Sequence, residues 1–151
     1  MRVFVCDVLN ALKRYMRERH DIQPIDANET GVFLNEHTKL ASLGMQVRHR
    51  LTSHGFAVNI DNQPLPWFSQ IVACGLADVS AGSVQNASKR REPITVQTEV
   101  PHILAAFEKQ FDRSFAPLDL SRDGELEDSV RELELLGARM LEQQGLPPPP
   151  Q

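Results

Sequence analysis

Two alternating segments between residues 41 and 60 constrain the fold of this chain most strongly. Successive side chains of a strand point to opposite faces, so each segment predicts a strand with one apolar face and one face of small residues. The small residues nearest the middle of the two segments are Ser42, Gly44, Gly55 and Ala57. If the strands pair, these residues form a shallow floor for a ligand backbone or an acyl chain. A helix packed against the same glycines is an equally good interpretation.

A lysine stands before the first segment, and a cysteine followed by glycine comes after the second, at Lys39 and Cys74. A thiolate attacks acyl groups well, and a nearby ammonium group lowers the pKa of a thiol. With a floor of little bulk beside them, these residues predict an acyl-transfer site. Lys39 shares the phase of Ala41 on the apolar face, so either the strand begins after Lys39 or a bulge re-aims its side chain.

Helical spacing of apolar residues predicts three helices, over residues 3–19, 98–111 and 124–144. The first helix lacks a capping residue, from which we expect that upstream sequence is missing. Cys6 on this helix is expected to be a small buried hydrophobe. The spacing places Pro101 in the first turn of the second helix, where its missing N–H costs nothing.

The order of these elements predicts an α+β fold, with a mixed sheet flanked by helices. A short strand is expected at residues 31–34, and residues 75–91 are expected to be a loop. Between them, residues 61–70 predict a turn and an aromatic knuckle. Asp123 is a candidate cap for the last helix, and the prolines after residue 145 are expected to be disordered.

Charge and composition describe an ordinary globular chain of 151 residues with a net charge of −4. The acidity lies in the last third, whereas the candidate site carries Lys39, Arg48 and Arg50. A mildly basic site suits an acidic protein partner, although a solvated mixed surface explains it as well. No basic stripe with aromatics indicates nucleic-acid binding. The two cysteines favour a reducing compartment over a disulfide framework.

The run KLASLG, followed by VRHRLTSHGFAVNI and WFSQIVACGL, resembles the C-terminal half of lipoyl(octanoyl) transferases, also called lipoate–protein ligase B. The resemblance covers roughly residues 31–84, with Thr52, His54-Gly55, Ala57 and Asn59 in the family's order. It departs at Ala73, where the family has proline. The family's upstream Arg-Gly-Gly and His…Gly-Pro-Gly segments are also absent, so a truncated or divergent form is expected.

The resemblance implies the fold of the biotin and lipoate protein ligases, and transfer of an octanoyl group from acyl carrier protein to a lysine of a lipoyl domain. Cys74 matches the family's acyl-thioester nucleophile, and Lys39 matches the lysine that tunes it. The matching acyl-pocket residues are Ser42, Leu43, Gly44, Gly55, Phe56 and Ala57. The implied acceptors are lipoyl domains of 2-oxoacid dehydrogenase complexes and the glycine cleavage H protein. No metal and no cofactor are expected.

The resemblance also sets the expected domains and compartment. Residues 1–120 are expected to be a partial catalytic domain, residues 121–145 an acidic helical extension, and residues 146–151 a disordered tail. A mitochondrial location is expected in a eukaryote and a cytoplasmic one otherwise. Two alternatives stay open: a non-catalytic remnant that docks lipoyl domains or acyl carrier protein, and a hydrolase that uses Cys74 with His54 as its base.

Overall fold

The two alternating segments form the central hairpin of a four-stranded mixed sheet. The structure is a computed structural model that describes residues 2–72, 78–90, 92–122 and 124–144. The strands are β1 (Val32–Asn35), β2 (Thr38–Arg48), β3 (Leu51–Val58) and β4 (Ser80–Ala81). Strand β2 pairs antiparallel with β1 and β3, and its first residues pair parallel with β4. The sheet predicted from alternation is therefore confirmed.

Three long and two short helices complete the described elements. They are α1 (Arg2–His20), α2 (Leu65–Phe68), α3 (Val84–Ala87), α4 (Val96–Phe111) and α5 (Glu125–Gln144). The α+β class with a sheet flanked by helices is confirmed. The expectation that residues 75–91 form only a loop is wrong, because β4 and α3 lie within that range. Both are very short, which explains why periodicity does not reveal them.

The chain divides into two compact units, residues 1–113 and 114–149. The second unit contains α5, whose apolar stripe is largely exposed; Leu133, for example, is 66% exposed. Its predicted cap, Asp123, and the proline tail lie outside the described residues. The predicted domain limits at residues 120 and 145 stay a prediction.

The core of the first unit lies where α1 packs against α4 and against the start of β2. Val8, Leu12 and Met16 of α1 are buried, as its spacing predicts, and Tyr15 is buried beside them. Cys6 lies on α1 but is exposed, so its expected burial is wrong. The apolar spacing assigns residues to the helix correctly, but it does not tell how wide the buried stripe is.

Helix α4 begins two residues before its predicted start because two threonines cap each other there. The Thr95 hydroxyl accepts from the Thr98 backbone N–H, and the Thr98 hydroxyl accepts from the Thr95 backbone N–H. This reciprocal capping satisfies two donors that the helix itself leaves unpaired. As a result, Pro101 is the sixth helical residue and lies in the second turn. Its predicted place in the first turn is wrong.

A buried polar cluster joins α1 to α4 behind the sheet. The Glu99 carboxylate, in a residue with no exposed surface, accepts from Tyr15 Oη at 3.1 Å and from His20 Nε2 at 3.0 Å. Arg19 donates to both Glu99 oxygens at 3.4 Å. The Ser88 hydroxyl donates to His20 Nδ1 at 3.2 Å, so a neutral His20 with its proton on Nε2 satisfies every contact.

The pKa values in this cluster follow from burial and from the shared carboxylate. Burial lowers the pKa of His20 below its ordinary value, although Glu99 opposes this shift. Burial raises the pKa of Glu99, but the hydrogen bonds from Arg19, His20 and Tyr15 outweigh that effect and leave it lowered. Burial and the charge of Glu99 raise the pKa of Tyr15 well above its ordinary value. The cluster therefore holds a carboxylate, a neutral imidazole and a neutral phenol.

We predict that the free energy of unfolding decreases as the pH falls below about 6.5, the ordinary pKa of histidine. Below that pH the unfolded chain takes up a proton on His20 while the folded chain does not, so acid favours unfolding. His20→Asn should flatten this dependence in urea titrations between about pH 7 and about pH 5. His102→Asn, which replaces an exposed histidine of α4, is the matched control and should leave the slope unchanged. An unaltered slope in His20→Asn would contradict the assignment.

Candidate active site

The floor predicted from the small residues exists as a paired face of β2 and β3. Ser42 pairs with Ala57, and Gly44 pairs directly with Gly55. All four are exposed, and within the described part of the chain a Cβ on either glycine would meet no other atom within 4 Å. Among the described residues no helix packs on these glycines, so the alternative of helix packing does not hold for this part of the chain.

A bulge in β2 places Lys39 on the same face as the floor. Leu40 and Ala41 are consecutive, yet both are buried in the core. The register with β1 is irregular at this point, because Val32 pairs with Ala41 while Phe33 pairs with Lys39. Cross-strand partners share a face, and neighbours along β1 point to opposite faces. Lys39, the partner of Phe33, therefore lies on the face opposite Ala41, which is the face of Ser42. Strand β2 already begins at Thr38, so Lys39 lies within the strand. The bulge, and not a late start of the strand, therefore places Lys39 on the face opposite Ala41.

The Lys39 side chain runs over Gly31 toward the ring of Phe33. Its Nζ lies 5.3 Å from the ring centroid, a distance at which the cation is attracted to the aromatic face. A Cβ on Gly31 would lie 2.4 Å from Lys39 Cε and 2.7 Å from the Ala41 carbonyl oxygen. Gly31 also has φ +147°, which a side chain rarely adopts. Glycine at position 31 thus allows the lysine to lie along the sheet.

Leu43 and Phe56, two of the predicted pocket residues, lie on the other face of the sheet. They form a cross-strand pair, and the Phe56 ring stacks on Phe107 of α4 with centroids 5.0 Å apart. His54 is also on that face, with its ring 4.5 Å from the ring of Phe4. The structure thus brings Ser42, Gly44, Gly55 and Ala57 together with Lys39, and separates Leu43, Phe56 and His54 from them.

Cys74 lies outside the described residues, but the chain that follows it is tied to the strand of Lys39. His37 Nδ1 donates to the Asp78 carbonyl at 3.1 Å. The Ser80 N–H donates to the His37 carbonyl at 2.8 Å, and the Gly82 N–H donates to the Lys39 carbonyl at 2.9 Å. The chain therefore contacts His37 four residues after Cys74, at Asp78, and pairs with Lys39 seven residues after Cys74, at Ala81.

Asn59, directly after β3, and Asn62, three residues later, hold this returning segment in place. The Asn59 amide donates to the Gly82 carbonyl at 3.0 Å, and the Asn59 carbonyl accepts from the Val84 N–H at 2.8 Å. The buried Ser83 hydroxyl donates to Asn62 at 2.5 Å. Sequence reasoning names Asn59 only among the residues that follow the family's order and misses this role. Asparagines directly after a strand are the signal that was present, since their side chains commonly bond to nearby backbone.

A cavity of about 230 Å³ opens next to β4. Leu65 and Phe68 of α2 line one side, and Val79 and Ala81 line the other. Ala81 is the strand partner of Lys39, so the cavity borders the same part of the sheet as the lysine. Its lining joins apolar side chains to the polar backbone of a short strand, a composition typical of small-molecule sites.

Residues 2–72, 78–90, 92–122 and 124–144 contain no group of three or more His, Cys, Asp or Glu arranged to hold a metal ion. In the same ranges, no helix combines the length and the apolar content needed to cross a membrane.

Comparison with known proteins connects this geometry to one enzyme family. An octanoyltransferase of Leifsonia xyli is 38% identical over 79 residues, which is 52% of this chain and 34% of that protein. The mitochondrial octanoyltransferase of Kluyveromyces lactis is 31% identical over 107 residues, covering 68% and 30%. The mitochondrial octanoyl-acyl-carrier-protein:protein N-octanoyltransferase LIPT2 of Danio rerio is 29% identical over 111 residues, covering 74% and 47%.

This chain is homologous to part of the octanoyltransferases. The resemblance expected from the sequence is thereby confirmed. No family model matches the chain. It spans between 30% and 47% of the length of these three octanoyltransferases. The roles of Cys74, Lys39 and the six predicted pocket residues stay predictions.

We predict that Gly31→Ala lowers the free energy of unfolding of this octanoyltransferase relative by about 1–3 kcal/mol. Alanine is strained at the φ of position 31, and its methyl group would clash with the Ala41 carbonyl. That carbonyl cannot move without disturbing β2. Urea denaturation measures the loss. Gly44→Ala is the matched control, because its methyl group enters open space and should leave stability unchanged or slightly raised. Equal stability of the two variants would contradict the described backbone conformation of Gly31 and its contact with the Ala41 carbonyl.

Proposed function

We propose that the chain carries the catalytic region of an octanoyltransferase of lipoate biosynthesis. The observation that carries the proposal is the open floor of Ser42, Gly44, Gly55 and Ala57, with the Lys39 amine on the same face. An acyl chain needs a surface with little bulk, and acyl transfer between thiol and amine needs a basic group nearby. The names of the homologues support the same activity.

The proposed reaction has two steps and uses the Cys74 thiolate as nucleophile. In the first step the sulfur attacks the carbonyl carbon of the octanoyl thioester on acyl carrier protein. A C–S bond to Cys74 forms, and the carrier's thiolate leaves and takes up a proton. In the second step the ε-amine of a lipoyl-domain lysine attacks the Cys74 thioester. An amide forms, the amine loses a proton, and the Cys74 thiolate is released.

Lys39 is proposed to serve both steps. As an ammonium ion it stabilises the Cys74 thiolate, and as a neutral amine it accepts the proton that the acceptor lysine loses. The backbone N–H of Cys74 or Gly75 is the proposed donor to the developing oxyanion. A thioester donor is already activated, so the reaction needs no ATP, metal or cofactor.

The predicted pocket residues divide into two proposed roles. Ser42, Gly44, Gly55 and Ala57 contact the acyl chain on the open face. Leu43 and Phe56 lie on the packed face, where they hold β2 and β3 against α4 and the core. We therefore propose that these two residues affect the acyl site through the position of the strands.

The proposed partners follow from the same activity. They are octanoyl-acyl carrier protein as donor, with lipoyl domains of 2-oxoacid dehydrogenase complexes and the glycine cleavage H protein as acceptors. We propose residues 1–120 as the catalytic region, followed by a helical extension and a proline tail. The location would be mitochondrial in a eukaryote, as the names of the yeast and fish relatives state for those proteins, and cytoplasmic in a bacterium.

The direct test is acylation of Cys74. After incubation with octanoyl-acyl carrier protein, intact mass should increase by one octanoyl group in the wild-type chain and remain unchanged in Cys74→Ser. Lys39→Met should slow adduct formation about 100-fold or more, as expected when a general acid–base is lost. Lys89→Met, which removes an exposed lysine paired with Asp21, is the control. A folded wild-type chain that gains no adduct would reject catalysis, and binding of a lipoyl domain without acylation would favour the docking remnant.

A second test distinguishes an effect on the acyl site from an effect on stability. Gly44→Val should leave the free energy of unfolding unchanged or raised, because the side chain enters open space and valine favours strands. The same variant should lose acylation of Cys74, because the valine occupies the proposed acyl track. Thr52→Val, which places a valine on the opposite face of β3, is the control. Normal acylation in a stable Gly44→Val chain would remove the floor from the proposed site.

A further inference from the structure

The turn between β2 and β3 is built from residues that are unfavourable in its conformation. His49 has φ 50° and Arg50 has φ 66°, so both central residues of this two-residue hairpin are left-handed. Such turns strongly prefer Asn-Gly or Gly-Gly, because a side chain in this region is strained. Other residues persist there when the surroundings hold them, and strained residues cluster at functional sites.

The same tip concentrates positive charge that forms no ion pair within the described part of the chain. Arg48, His49 and Arg50 are consecutive and exposed. Among the ion pairs of the described residues, none involves Arg48 or Arg50, whereas Lys13, Arg19, Lys89 and Lys109 each have a carboxylate partner. The chain as a whole has a net charge of −4. The tip therefore stands out as a local cationic surface.

An exposed apolar side chain lies beside these arginines on the floor side of the hairpin. Leu51 is 76% exposed and is the cross-strand partner of Arg48. By the alternation of both strands, this pair is on the same face as Gly44 and Gly55. Arg48 is four residues from Gly44 along β2, about 13 Å at 3.3 Å per residue. A protein bound at the tip would thus lie at the end of the floor.

We propose that the tip, formed by Arg48, His49, Arg50 and Leu51, docks the acidic protein surface of the acyl donor. Carboxylates of the partner would pair with the two arginines, while an apolar side chain covers Leu51. Arginines around a small apolar contact are typical of protein interfaces. Two arginines without a stacking aromatic form a poor nucleic-acid site. This inference rests on the proposed function, because it assigns a surface to that reaction's carrier protein.

The test compares binding with acylation in variants of the whole chain. The probe for binding is fluorescently labelled octanoyl-acyl carrier protein, followed by anisotropy. Arg48→Gln and the double variant His49→Asn/Arg50→Gly should each weaken binding about fivefold, and their combination should weaken it more. Arg17→Gln, which removes an exposed arginine of α1, should leave affinity unchanged. Raising the salt from about 20 mM to about 200 mM should weaken wild-type binding and affect the combined variant little.

The Asn-Gly variant distinguishes a docking role from a structural one. His49→Asn/Arg50→Gly installs the favoured turn, so its midpoint of thermal unfolding should rise while carrier binding falls. Binding equal to wild type in this variant, or an equal loss in Arg17→Gln, would overturn the proposal. Tip-dependent binding of transfer RNA or anionic vesicles without binding of the carrier would also overturn it.

A small donor separates failure of this inference from failure of the proposed function. With octanoyl-coenzyme A as donor, the tip variants should acylate Cys74 at the wild-type rate, because no carrier protein has to dock. A tip variant that loses acylation from both donors would overturn the docking role. If the wild-type chain accepts octanoyl from neither donor, the proposed function fails, and the anisotropy measurement still decides whether the tip binds the carrier.

Discussion

The bulge at Leu40 and Ala41 is the constraint on which the rest of the structure depends. Without it, strict alternation along β2 would place Lys39 on the core side with Ala41, where a charged amine has no partner. With it, two consecutive apolar side chains enter the core, and Lys39 shares a face with Ser42 and Gly44. Because a one-residue shift exchanges the two faces of a strand, this local irregularity separates the apolar contacts from the polar site.

The two faces of the hairpin are held by different interactions. On one face, Phe56 stacks on Phe107 and Leu43 packs against the core, so burial against α4 fixes the strands. On the other face, glycine and small residues leave the backbone uncovered by any of the described residues. Behind the packed face, the Glu99 cluster links α4 to α1 through hydrogen bonds in a region of low dielectric constant. The contacts on the packed face hold the two strands in position. The open face can therefore consist of small residues while the strands stay ordered.

Much of this arrangement could be predicted from the sequence, because period-two alternation is a local property. The pairing of Ser42 with Ala57 and of Gly44 with Gly55 follows once the hairpin is recognised. The buried Glu99 cluster could not be predicted, since Tyr15, Arg19 and His20 meet Glu99 across roughly eighty residues of chain. Helical spacing marks apolar stripes and gives no sign of a buried charge. The side of the sheet on which Lys39 lies was also open, because a bulge depends on the partner strand.

The hairpin tip illustrates how stability and recognition make opposite demands on the same residues. Any charged residue at position 48 would protect the exposed strand end against aggregation. Asn-Gly at positions 49 and 50 would give a stable turn. His49 and Arg50 are both strained in the left-handed conformation of this turn. Leu51 beside them adds exposed apolar surface. Strained backbone, two charges without an ion pair among the described residues, and an exposed leucine coincide within four residues, at the end of the floor that carries Lys39. A shared binding role explains all three together, whereas a purely structural role explains none of them.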